Sequence, residues 1–168
     1  RIRGIAMQEN SQLVFVDTPG LFKTRRKLDK AMVAAAWSGA ADADIVVLIV
    51  EAHRGITSGV EMILEGLEKR DVKDQRLILA INKIDKIKSD ALLSLTQSLN
   101  QRLNFEETFM ISAEKGYGVK LLQDWLSENL PVGPYLYPED QIADVPMRMI
   151  AAEMTREKLM LRLHQELP

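Results

Sequence analysis

Four short apolar runs rich in β-branched residues punctuate the chain, at 13–16, 45–50, 77–81 and 108–111. The middle two are continuously apolar, as strands buried on both faces of a parallel sheet are. Between the runs, apolar residues recur at helical spacing over 28–41, 57–69, 89–103 and 119–130. Strand and helix patterns therefore alternate, at spacings of roughly 30 residues, which predicts βαβ units and a three-layer α/β fold. The start differs. Residues 2–7 read as a strand and Glu9-Asn10-Ser11 as a turn, so 2–16 predicts a hairpin. That hairpin puts one antiparallel edge strand on a mostly parallel sheet.

The pattern changes at Pro131. Pro131, Gly133, Pro134, Pro138 and Pro146 surround Tyr135, Tyr137, Glu139 and Asp140, and this punctuation reads as an inter-domain linker. Helical spacing resumes over 147–167, with Ile150, Met154 and Leu161 on one face. One helix cannot bury that face alone. The expected division is a first domain at 1–130, a linker at 131–146 and the start of a second domain at 147–168. The chain opens on Arg1 rather than Met, so it is read as an internal piece of a longer protein.

Composition narrows the possibilities. The 168 residues suffice for about one domain of ~150 residues. A 46% apolar share supports a core. Twenty-two Lys and Arg against 24 Asp and Glu leave a net charge of −2, so no basic nucleic-acid-binding surface shows in the bulk balance. With no Cys, disulfides, thiolate zinc sites and Cys nucleophiles are excluded. The apolar run 45–50 is far short of the roughly 20 residues that span a bilayer.

Three motifs each follow a strand pattern directly. The first is Asp17-Thr18-Pro19-Gly20. A carboxylate at the carboxyl end of a buried strand sits where open α/β sheets bind ligands. In nucleoside triphosphatases such an Asp holds Mg²⁺, which demands oxygen ligands and keeps much of its water. Gly20 lacks a Cβ, so its N–H can approach a terminal phosphate. The plain alternative is a turn closing a strand. The second motif is Asn82-Lys83-Ile84-Asp85. The Asp85 carboxylate can accept two hydrogen bonds from N1–H and the 2-amino group of guanine, which adenine does not offer. The Asn82 amide can reach the base or tie neighbouring loops together. The Lys83 stem can lie along the base while its ammonium stays wet. The plain alternative is a polar loop capping a helix. The third is Ser112-Ala113-Glu114-Lys115-Gly116. The Ala113 N–H can approach a purine O6 and Ser112 can brace the loop; alone, it reads as a strand-to-helix loop. A string such as the first arises by chance in about one chain in a thousand of this length. Three in order after three strands leave chance negligible.

Together the three motifs resemble the Walker B, guanine-specificity and base-supporting motifs of translation-factor-class P-loop GTPases. Residues Tyr137 to Asp144, with Arg156-Glu157-Lys158-Leu159 and Glu166-Leu167-Pro168, resemble the linker and first KH-domain helix of Era-type bacterial GTPases. The resemblance implies a three-layer P-loop GTPase sheet followed by the first helix of a KH domain. It implies GTP hydrolysis with Mg²⁺ on Asp17, and nucleotide binding by Asp17, Thr18, Pro19, Gly20, Leu21, Asn82, Lys83, Ile84, Asp85, Ser112, Ala113 and Glu114. Its implied partners are GTP or GDP, small-subunit ribosomal RNA and the 30S particle. It further implies a cytoplasmic monomer, with peripheral association at the cytoplasmic face of the inner membrane.

No G-x-x-x-x-G-K-[ST] loop occurs in the chain. By resemblance, that loop, its strand and the Mg²⁺-binding switch Thr precede Arg1, the strand running between 13–16 and 45–50. The KH Gly-x-x-Gly loop would follow Pro168. Small signalling GTPases place a water-orienting Gln after the Walker B Gly; here the residue is Leu21. Water orientation is left to a backbone group or K⁺, and no catalytic residue is named. Competing readings are a tRNA-modification or other ribosome-assembly GTPase and, for this piece alone, a non-catalytic binding or structural fragment. The cluster Lys23, Arg25, Arg26, Lys27 and Lys30 reads as a solvated helix start more readily than as an RNA contact, because no aromatic interleaves it. His53 and His164 are too isolated for a metal site. Trp37, Trp125 and the methionines Met147, Met149, Met154 and Met160 read as packing residues.

Overall fold

The computed structural model describes residues 3–16, 37–69, 76–143, 145 and 147–163. Asp17, Thr18, Pro19, Gly20, Leu21 and the basic cluster at 23–30 lie outside the described residues. Strands β1 (Arg3–Gln8) and β2 (Ser11–Val16) form the expected antiparallel hairpin. Glu9 takes a φ of 51° at its two-residue turn, the positive value that tight hairpin turns need. Strands β3 (Ile45–Glu51), β4 (Arg76–Asn82) and β5 (Thr108–Met110) form a parallel sheet with β4 in the centre. The connections between them carry helices α1 (Ser58–Glu68) and α2 (Ser89–Arg102). Helix α3 (Val119–Asn129) follows β5, and α4 (Met147–Leu163) closes the described chain.

Why β4 reads as an unbroken apolar run is visible in its packing. Leu77, Leu79 and Ile81 face one core with Leu64 and Leu67 of α1 and Leu99 of α2. Ile78 and Ala80 face the other, with Leu13 of β2, Phe109, Ile111 and Leu126 of α3. Each fully buried aliphatic side chain contributes about 1.5–3 kcal/mol. The result is three layers, as the alternating pattern predicts. Both Trp residues pack as expected. Trp37 lies against α1 where Gly66 has no Cβ to overlap its ring. Trp125 meets Phe109 edge-on, with ring centroids 5.8 Å apart, and carries the Arg76 guanidinium over its face.

The hairpin is not hydrogen-bonded to the parallel sheet among the described strands. Leu13 of β2 nevertheless shares a core with the sheet and α3. Strands β2 and β3 thus sit over a common core without pairing, as the resemblance leads one to expect if a further strand runs between them.

One expectation is filled in by the structure and one needs correction. Residues 131–146 read as a linker, yet part of this segment is docked on the hairpin. Ile5 N–H donates to Ile142 O at 2.9 Å, and Gly4 bridges Ala143 in antiparallel fashion. The Gln12 amide accepts from the N–H groups of Leu136 and Tyr137 at 2.9 and 3.0 Å and donates to Tyr137 O at 2.8 Å. An edge strand with open backbone groups is a ready template for such pairing. The second concerns the methionines: Met149 and Met154 are exposed, on a helix exposed at nearly every described position.

Candidate functional site

The second and third motifs meet at the carboxyl end of β4. The side chain of Asn82, the last residue of β4, turns its Oδ1 to two backbone donors: Lys83 N–H at 2.7 Å and Ala113 N–H at 3.0 Å. Asn82 therefore ties the two loops together, one of the two roles open to it from sequence. Lys83 adopts a left-handed conformation (φ 61°, ψ 38°), uncommon without a glycine, and the chain then enters a 3₁₀ turn at Ile84–Lys86. Ile84 N–H donates to Ile111 O at 3.3 Å, holding that turn against the end of β5.

Asp85 projects from this turn. Its side chain is only 11% accessible, although the turn's backbone faces solvent. Ser112, fully buried, donates its hydroxyl to Asp85 Oδ1 at 2.7 Å. Lys115 Nζ stands 3.5 Å from Oδ2. These donors, the Ser112 hydroxyl first, hold the Asp85 carboxyl below its ordinary range, so the group is ionised at neutral pH. An ionised carboxylate offers about four lone-pair directions. With the backbone N–H of Asp85 also donating to it, the carboxylate keeps part of that capacity for the donors of a guanine edge.

Ser112 is fixed by its own loop. Its N–H donates to Tyr117 O at 2.9 Å and its carbonyl accepts from Lys115 N–H at 3.1 Å. Gly118 ends the loop at φ 70°, where a Cβ would clash with the Met110 carbonyl. Glu114 is exposed and, among the described residues, pairs with Lys86 at 3.7 Å. The Ala113 N–H, which sequence directs at a purine carbonyl, is held by Asn82 in this structure.

Two residues of the site, and Gln12 on the hairpin, carry no role in the sequence reading. Lys115 was visible as part of the third motif but not as a partner of Asp85. Glu51, at the end of β3, takes the Lys83 ammonium at 2.7 Å, so that ammonium is paired rather than simply wet. The signal for Glu51 was present: it is a carboxylate at the carboxyl end of a buried strand, the criterion that singled out Asp17. Gln12 gave no such signal. Among the described residues, no group of three or more His, Asp or Glu could hold a metal ion.

A parallel sheet covered by helices, with its loops meeting at the carboxyl end of the central strand, is the α/β fold of P-loop GTPases. The chain belongs to the Elongation factor Tu GTP binding domain family, which matches residues 3–132. Over its whole length it is similar to GTPase Era of Dinoroseobacter shibae, at 70% identity across 168 residues, 100% of this chain and 54% of that protein. Among solved structures it is similar to Era in complex with MgGDPNP and nucleotides 1506–1542 of 16S ribosomal RNA. That likeness has a TM-score of 0.80 at 33% identity, over 95% of this chain and 54% of that one. It is also similar to a variant of Aquifex aeolicus Era bound to GDP and AlF4⁻, with a TM-score of 0.79 at 32% identity, over 96% and 55% of the two chains. The chain spans about half the length of the curated relatives it matches.

Proposed function

We propose that the whole protein binds and hydrolyses GTP and acts in assembly of the small ribosomal subunit by binding its RNA. The observation that carries the nucleotide reading is the ionised Asp85 carboxylate, held by Ser112 and Lys115 where the second and third motifs meet. The RNA reading is supported by likeness to the Era–16S ribosomal RNA complex.

In this reading Asp85 accepts from N1–H and the 2-amino group of guanine. Adenine would leave the carboxylate without donors, and that loss is the basis of selection. The purine O6 shares the Ala113 N–H with Asn82 Oδ1, and the Lys83 stem covers the base. Thr18, Pro19 and Leu21 belong to the first motif, and Ile84, Ser112 and Glu114 shape the loops after β4 and β5. Asp17, directly after β2, would hold Mg²⁺, and Gly20 would meet the terminal phosphate. When bound, Mg²⁺ neutralises charge that develops on the phosphates. The Leu21 side chain has no polar atom to orient the attacking water, so a backbone group, or K⁺ if bound, would do so. The segment after Gly20 then changes state with the terminal phosphate. Residues 147–168 begin a KH domain that holds the RNA, with 131–146 joining it to the GTPase domain at 1–130. By resemblance alone, the protein is a cytoplasmic monomer with peripheral association at the inner membrane. No helix among the described residues is long and apolar enough to cross a membrane.

The full-length protein, assayed with GTP and with ATP and titrated with a 3′-terminal fragment of small-subunit ribosomal RNA, tests this. GTP turnover without ATP turnover, and saturable RNA binding, are expected. Failure to hydrolyse GTP contradicts the enzymatic part, and RNA binding no tighter than to a scrambled fragment contradicts the rest.

A further inference from the structure

We propose that Glu51 is a positioning residue for base recognition, acting by fixing Lys83 across the site. This rests on the guanine-binding reading above. Glu51 and Asn82 are register partners, so β3 and β4 end side by side and the carboxylate stands beside the start of the base loop. Glu51 Oε1 accepts from Lys83 Nζ at 2.7 Å. Its other oxygen faces His53 Nε2 at 3.8 Å and Arg54 Nη1 at 3.9 Å. Both neighbours belong to a 3₁₀ turn, Ala52–Arg54, that is anchored twice: Ala52 is buried in the core, and Gly55 N–H closes onto Glu51 O at 3.1 Å. The carboxylate is therefore held on one side while it holds the lysine on the other. The Lys83 hydrogen bond keeps Glu51 below its ordinary range, so the carboxylate is ionised at neutral pH.

Lys83 is fixed at both ends. Its backbone N–H is bonded to Asn82 Oδ1 in a left-handed conformation, and its ammonium is bonded to Glu51. The four-carbon stem is stretched between two anchors, in the first of the two residues between Asn82 and Asp85. A free lysine would lose rotamer freedom when packed on a base, and a lysine already held loses less. The pair is about one-third exposed (37% for Lys83 and 35% for Glu51), so its effect on fold stability is small. Glu51 thus acts on affinity rather than on folding.

The test is a double-mutant cycle in the full-length protein, with GDP dissociation constants and thermal unfolding measured for Glu51→Gln, Lys83→Met and the double variant. Glu51→Gln is expected to weaken GDP binding about two- to ten-fold, the cost of ordering one long side chain, with the unfolding midpoint nearly unchanged. In the Lys83→Met background the same change is expected to have no further effect. Unchanged affinity in Glu51→Gln, or losses that simply multiply in the double variant, would overturn the proposal. Asp85→Asn separates this from failure of the site itself. If Asp85→Asn loses its preference for guanine while Glu51→Gln is silent, only the role of Glu51 falls. If Asp85→Asn keeps that preference, the base site falls with it.

Discussion

Ser112 Oγ donates to Asp85 Oδ1 at 2.7 Å, so a buried residue on the loop after β5 aims the carboxylate on the loop after β4. Ser112→Ala removes that donor and is expected to weaken GDP binding roughly three- to ten-fold, in line with loss of one hydrogen bond to a charged group. The effect depends on pH in a defined direction. The Asp85 pKa is lowered in the folded protein, so the favourable contribution of its charge is complete above the ordinary aspartate range. It is lost as pH falls through the lowered value. In Ser112→Ala the value rises towards normal, and GDP affinity should begin to fail at a higher pH than in the parent. Titrations between neutral and acid pH check this; coincident acid limbs would count against the Ser112 bond.

Gln12→Ala should release the segment that follows Pro131. One side chain bonds the N–H groups of both Leu136 and Tyr137, and it is separated from them by more than 120 residues of chain. Amide exchange at Leu136 and Tyr137 is expected to quicken, with little change at Ile78 to Ile81 in the fully buried centre of β4. Unaltered exchange at both amides would show that other contacts hold the segment.

What was legible in the sequence follows from how local each signal is. The buried runs at 45–50 and 77–81 fix β3 and β4 because both faces of a central strand are apolar whatever surrounds it. Helix α1 was readable from its apolar spacing; the structure adds Thr57 as its cap, the hydroxyl accepting from Val60 N–H at 3.3 Å. The strand predicted over 108–111 ends at Met110, although Ile111 N–H still donates to Ile81 O at 2.9 Å. The docking of 136–143 on β1 was not legible. It depends on backbone groups, which every residue carries, and on one glutamine amide. Glu51 was missed for a different reason: a carboxylate at a strand end was sought within motifs, not on the neighbouring strand.

Gly118→Ala should destabilise the domain by about 1–3 kcal/mol, because the position combines a φ of 70° with a Cβ driven into the Met110 carbonyl. Chemical denaturation measures the loss. Since the same loop carries Ser112, weaker GDP binding should accompany it. A variant as stable as the parent would mean that the loop relaxes without cost.

The central claim is that Asp85 reads guanine, and the most direct measurement is competition between GTP and xanthosine triphosphate for the full-length protein and for Asp85→Asn. The parent is expected to prefer GTP. The variant is expected to prefer xanthosine triphosphate, whose C2 carbonyl accepts from the new amide where the guanine amino group met the carboxylate. A variant that keeps the parent's preference for GTP would contradict the account and remove Asp85 from the base site.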